Sequence, residues 1–209
     1  MTEPLTQTGL GLLTMIGTIG LVSLTPGLCM SLAFSLGLSL GYRKTLWMMA
    51  GEMLGVATVI ITTAVAMHWL LALDPRIMTA LALVAASYLL WMAWQLWHAD
   101  DSLHRQRIER GVPPLSLFAL GLTTALFNPK GWAFTMALLP GFIAFDASLA
   151  PQVSLFVAVM LSTEFASMSL YAGGGGWLRK RLGQEHQFAL LSKTAAVLMV
   201  AVSLLIIPF

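Results

Sequence analysis

The chain has 209 residues, of which 58% are hydrophobic and only 10% charged, with a formal charge of +2 and a mean hydropathy of +0.84. Soluble domains carry roughly 25% charged residues, so the composition excludes an ordinary soluble domain and places the chain in a membrane. A charge this small, with no basic stripe, argues against nucleic acid as a partner. The lone Cys29 excludes an intrachain disulfide and any CxxC motif. His68, His98, His104 and His186 are scattered and have no ligand spacing, so neither a metal nor another cofactor is expected.

The N-terminus holds Glu3 and no Lys or Arg. That is unlike a signal peptide, so the first apolar run is expected to be retained as a span. This run, 8–40, exceeds the roughly 20 residues that cross a bilayer and is interrupted by Thr25-Pro26-Gly27. Pro26 lacks an amide hydrogen and would clash with the carbonyl four residues back. In hydrocarbon the freed backbone must be satisfied by protein or must line a cavity, so the run is expected to be broken there. Further spans are expected at 46–71, 77–98, 115–140, 151–178 and 188–208. The fourth is interrupted in turn by Asn128-Pro129-Lys130.

The joints between spans alternate in charge. Joints 41–44, 99–114 and 179–187 carry Arg43, Lys44, Arg105, Arg107, Arg110, Arg179, Lys180 and Arg181, whereas the other joints and both termini carry only Arg76. The positive-inside rule puts the basic joints in the cytoplasm and both termini outside. Trp91, Trp94 and Trp97 recur three apart near the cytoplasmic exit of the third span, and Trp47 and Trp69 also sit near span ends, where aromatic rings favour the headgroup layer.

The joint 99–114 is the only long polar segment, and it divides a single domain, 1–209, into halves 8–98 and 115–208. Three spans per half make the halves run in opposite directions, the arrangement of an inverted repeat. Pro26 lies 17 positions before Arg43 and Pro129 lies 17 before Asp146, so the two breaks fall at corresponding places. The fold expected is therefore all-α and integral to the membrane: six transmembrane helices in two inverted three-helix repeats, the first and fourth broken at proline.

Four ionisable residues fall inside expected spans: Glu52, Lys130, Glu164 and Lys193. Each would cost about 2.5–3.5 kcal/mol or more at the bilayer centre on insertion scales, which makes such residues functional candidates. Glu52 and Glu164 are the candidates for lining the substrate or proton path; the alternative is a carboxyl that only fastens helices. Lys130 follows the second break directly, and Lys193 is close enough to a span end to snorkel. Gly51 and Gly55 flank Glu52 as a small-xxx-small face suited to close helix approach. Gly173 to Gly176 weaken the fifth span and suit either tight packing or a hinge.

Together these residues resemble the lysine-exporter superfamily of LysE type, particularly its branch exporting homoserine, threonine and other neutral amino acids. Thr25-Pro26-Gly27 match the family's first-span signature, with Leu28 and Cys29 in place of its proline and asparagine. Asn128-Pro129-Lys130 match the fourth-span signature, and Leu139-Pro140-Gly141-Phe142 follow at the family's distance, with Gly141 for glutamine. Tyr88-Leu89-Leu90 match the third span, and Gly51-Glu52 the second, where aspartate is commoner.

The resemblance implies a bacterial inner-membrane secondary exporter rather than an enzyme. It would be driven by protons, with an amino acid or similar small zwitterion as cargo, and a homodimer is open to it. Thr25, Pro26, Gly27, Cys29, Asn128, Pro129 and Lys130 would form the substrate site and Glu52 and Glu164 would carry protons. The helix starts after each break suit a carboxylate, and the freed carbonyls of Val22 and Ala125, with either glutamate, suit an ammonium. The alternatives are a metal-ion exporter of the same superfamily and a non-transporting assembly subunit.

Overall fold

The computed structural model describes residues 9–25, 27–73 and 112–178, together with positions 80, 83, 84, 86, 87, 90, 91, 94, 197 and 200. Pro26, Lys193, Tyr88, Leu89, most of the third and sixth expected spans and the basic joint 179–187 lie outside the described residues, as does all but the last three residues of 99–114.

Six helices make up the continuous segments: α1 (Gly9–Leu24), α2 (Leu28–Leu40), α3 (Tyr42–Leu73), α4 (Pro114–Leu126), α5 (Pro129–Phe142) and α6 (Leu149–Leu178). The described positions within 77–98, and Val197 and Val200, are also helical. The chain is an all-α, multi-helix membrane protein. Among the described residues α3 and α6 are each long and apolar enough to cross a bilayer, and α1 with α2, meeting at 60°, qualify as a bent pair.

Local chemistry explains the ends. α2 stops at Gly41, whose φ of +85° is open to glycine and whose amide reaches the carbonyls of Leu36 and Gly37 at 3.2 and 3.1 Å. α3 then begins at once, at Tyr42. The basic pair Arg43 and Lys44, expected in a joint, therefore rides on the first turn of a helix. α4 and α5 each place proline in the first turn, where a missing amide costs nothing. α6 runs unbroken through Gly173 to Gly176.

Two apolar clusters lie at two levels. One gathers Met15 and Ile19 of α1, Ile60 and Met67 of α3, Phe134 and Leu139 of α5, and Phe156 of α6. The other gathers Met30 and Leu36 of α2, Met48 and Met49 of α3, Leu117 of α4, and Met168 of α6. α3 runs from the second level to the first and α6 from the first to the second, so the two long helices are antiparallel. Glycines bring backbones into contact at the second level. A Cβ on Gly51 would collide with the Phe118 carbonyl, and one on Gly121 with the Met48 carbonyl, so α3 and α4 touch reciprocally. Gly37 abuts Ala172, and Gly175 abuts Phe34, which joins α2 to α6 in the same way.

Candidate functional site

Each interrupted run leaves backbone groups that apolar surroundings cannot satisfy. At the first, the Val22 carbonyl accepts the Thr25 amide at 3.1 Å and the Thr25 hydroxyl. The Leu24 carbonyl accepts the Tyr171 hydroxyl of α6 at 3.0 Å, and the Thr25 carbonyl accepts the Lys130 ammonium at 2.7 Å. At the second, the Ala125 carbonyl accepts the Asn128 amide at 3.2 Å and the Leu126 carbonyl the Trp132 indole at 2.8 Å. The Val22 and Ala125 carbonyls, expected to meet a substrate ammonium, each accept a donor of their own turn, and both residues line the cavity between the helices.

The helix starts differ. Asn128 caps α5, its Oδ1 accepting the Lys130 amide at 3.1 Å, and its Nδ2 donates across to Cys29 Sγ at 3.5 Å. Gly27 precedes α2 in extended backbone, and no side chain caps that helix. The departures from the family's first-span signature separate here. Leu28 is 59% exposed and faces away, whereas Cys29 is buried against Asn128.

A cavity of about 50 Å³ opens between the two apolar levels, several times the roughly 10–15 Å³ that admits one water. Gly27, Cys29, Asn128 and Lys130 line it, with Glu52 of α3 and Glu164 of α6 facing it from the two long helices. Thr25 is buried beside it, its carbonyl held by Lys130. The structure thus brings together the expected site residues that it describes. Glu164 is partly exposed. Glu52 is only 1% exposed, and among the described residues neither of its carboxyl oxygens is in a well-formed hydrogen bond; Cys29 and Glu164 are its polar neighbours. Gly51 and Gly55 explain its depth, since they press that stretch of α3 against α4.

Five residues escape sequence reasoning. Tyr171 and Trp132 close the breaks, Phe134 lies with its ring centroid 5.6 Å from the Lys130 ammonium, and Ser23 meets Thr163 beside Glu164 at 3.3 Å. The signal for the first two is a Tyr and a Trp placed inside spans, where a buried polar tip must find an acceptor. Among the described residues no three or more His, Cys, Asp or Glu side chains gather as a metal-binding group.

The profile of the LysE type translocator family matches residues 20–207. The chain belongs to that family. It is a multi-pass inner-membrane translocator, not an enzyme. Similar proteins include a cysteine/O-acetylserine efflux protein of Salmonella choleraesuis, 36% identical over 141 residues that cover 58% of this chain and 72% of the relative. A homoserine/homoserine lactone efflux protein of Salmonella typhimurium is 26% identical across 75% of this chain and 74% of its own length. An uncharacterized membrane protein of Vibrio cholerae serotype O1 is 30% identical over 58% of this chain and 59% of its own. No solved structure matches the translocator.

Proposed function

We propose that this translocator exports a small zwitterionic metabolite, an amino acid or a close derivative, across the cytoplasmic membrane, with protons as the coupling ion. The observation that carries this reading is the Glu52 carboxyl, buried on the cavity wall beside Cys29 and Glu164, with neither oxygen in a well-formed hydrogen bond among the described residues. An uncompensated buried carboxylate is costly, so the group calls for a donor: a substrate ammonium in one state, a proton of its own in another. Glu164 faces the same cavity and serves as the second proton site. The uncapped start of α2, at Gly27 and Cys29, supplies amides and the positive end of a helix dipole to a substrate carboxylate. Asn128 offers an amide from the opposite side. The efflux named for the Salmonella relatives agrees with this cargo class.

Alternating access follows from two inverted repeats of three spans, broken near Pro26 and at Pro129. The opposite courses of α3 and α6 between the apolar levels support that architecture, as do the reversed orders of α1–α2 and α4–α5. The basic joints put the level of α2 and α4 on the cytoplasmic side and both termini outside.

Purified protein in liposomes tests the reading. Wild type is expected to carry labelled neutral amino acids and, with them, protons. Glu52→Gln, inserted in equal amount, is expected to lose flux by about tenfold or more, the scale of a hydrogen bond to a charged group. Equal flux from the variant sinks the role of Glu52. No wild-type flux across a panel of amino acids and derivatives would make the chain a non-transporting subunit.

A further inference from the structure

Lys130 is the second residue of α5 and only 8% exposed. That is a poor place for a cation, because the start of a helix is the positive end of its dipole. The compensation comes from the other half of the chain. The Lys130 ammonium donates to the Thr25 carbonyl at 2.7 Å, just past the end of α1, where carbonyls and the negative end of a dipole collect. The Phe134 ring, one turn on, lies within cation–π range.

Gly27 shows what this contact requires. Its backbone is extended, at φ −155° and ψ −168°, a conformation open to any residue. The three atoms that a Cβ there would meet first all belong to Lys130: Cδ at 3.0 Å, Nζ at 3.2 Å and Cε at 3.7 Å. A side chain at 27 would thus press on the lysine stem that crosses it and make Lys130 shift by a few tenths of an ångström, whereas its own backbone would allow it.

We propose that Lys130 is a positioning residue, a built-in cation that ties the open end of α1 to the start of α5, with Gly27 as its seat. In transporters with broken helices, freed carbonyl ends of this kind commonly hold a coupling cation; here a tethered ammonium fills that place. The ammonium is therefore spent on the fold rather than on the substrate carboxylate. Glu52 and Glu164, which share the cavity, are the anions that compete for it when the two breaks part.

The inference rests on the transport reading, and the experiment separates their failures. Wild type, Lys130→Ala and Gly27→Ala are compared in liposomes, with insertion measured for each, in the presence and absence of millimolar methylammonium and ethylammonium. Both variants are expected to fall by about tenfold or more in maximal rate, with KM for substrate changing less than the rate. The alkylammonium ions are expected to restore part of the Lys130→Ala flux and none of the Gly27→Ala flux, since the latter keeps its own displaced ammonium. Wild-type flux with unchanged Gly27→Ala overturns the tether, even if Lys130→Ala fails to insert. A Lys130→Ala that inserts and loses affinity rather than rate, or ignores the alkylammonium ions, makes Lys130 a substrate ligand and overturns it too. Absence of wild-type flux overturns the transport reading instead.

Discussion

Asn128 performs two tasks with one amide, and the two can be separated by substitution. Its oxygen caps α5 and its nitrogen reaches Cys29 across the cavity. Asn128→Ala is expected to lose about 1 kcal/mol, the usual worth of such a cap. In a chain of this size that lowers Tm by roughly 2–4 °C, and flux should fall with it. Asn128→Asp keeps the capping oxygen, so it should recover most of the Tm but not the flux, because the donor to Cys29 is gone. Detergent-purified melting curves set beside liposome flux check both halves. If the aspartate variant transports normally, the amide nitrogen has no role in the cavity. Asn128 and Cys29 show how far single residues were legible. The proline-linked motif marked Asn128, but that its partner would be a thiol 99 positions away followed only from the tertiary contact.

Among the helices, the row Gly173 to Gly176 illustrates how one composition serves two environments. A flexible joint was one expectation for it, yet α6 passes through the row without interruption. Gly175 faces α2, where a Cβ would run into the Phe34 carbonyl, while Gly173 and Gly174 have open space around the same position. Gly173→Ala should therefore be neutral or raise stability by up to about 1 kcal/mol through helix propensity. Gly175→Ala should cost about 1–3 kcal/mol, since backbone must yield. Gly121→Ala should behave like Gly175→Ala, because its Cβ would meet the Met48 carbonyl in the α3–α4 contact. Thermal melts of the three variants decide this, and a destabilising Gly173→Ala with a neutral Gly175→Ala would refute the packing account. Glycine spacing alone pointed to close approach at Gly51 and Gly55; which helix approaches was decided by the fold.

Taken over the whole molecule, the close glycine contacts pair helices from different expected halves: α2 with α6, and α3 with α4. If the expected halves move as proposed, these mixed pairs are the contacts that must slide or rock around the cavity. Sidedness is testable without transport. Cys29 is buried, so an introduced thiol on the surface dominates labelling by a membrane-impermeant maleimide. Ala147→Cys, in the exposed turn before α6, should label in intact cells. Ser102→Cys, in the basic joint, should label only after the membrane is opened. The reverse pattern would invert the orientation and put the termini inside.

Membrane residence, the places where helices must break, and the glutamates worth watching were all determined by the sequence by itself. Each follows from local properties: apolar run length against bilayer thickness, the missing amide of proline, and the cost of charge in hydrocarbon. The recurrence of two proline motifs then identified the family. Tertiary structure alone decided who satisfies whom. Lys130 takes the Thr25 carbonyl, 105 positions away. Tyr171 takes the Leu24 carbonyl, 147 positions away, and Glu52 is set on the cavity wall with no well-formed hydrogen bond among the described residues. In hydrocarbon a freed carbonyl must find a donor that folding delivers or line a cavity, and no local pattern records which donor that will be.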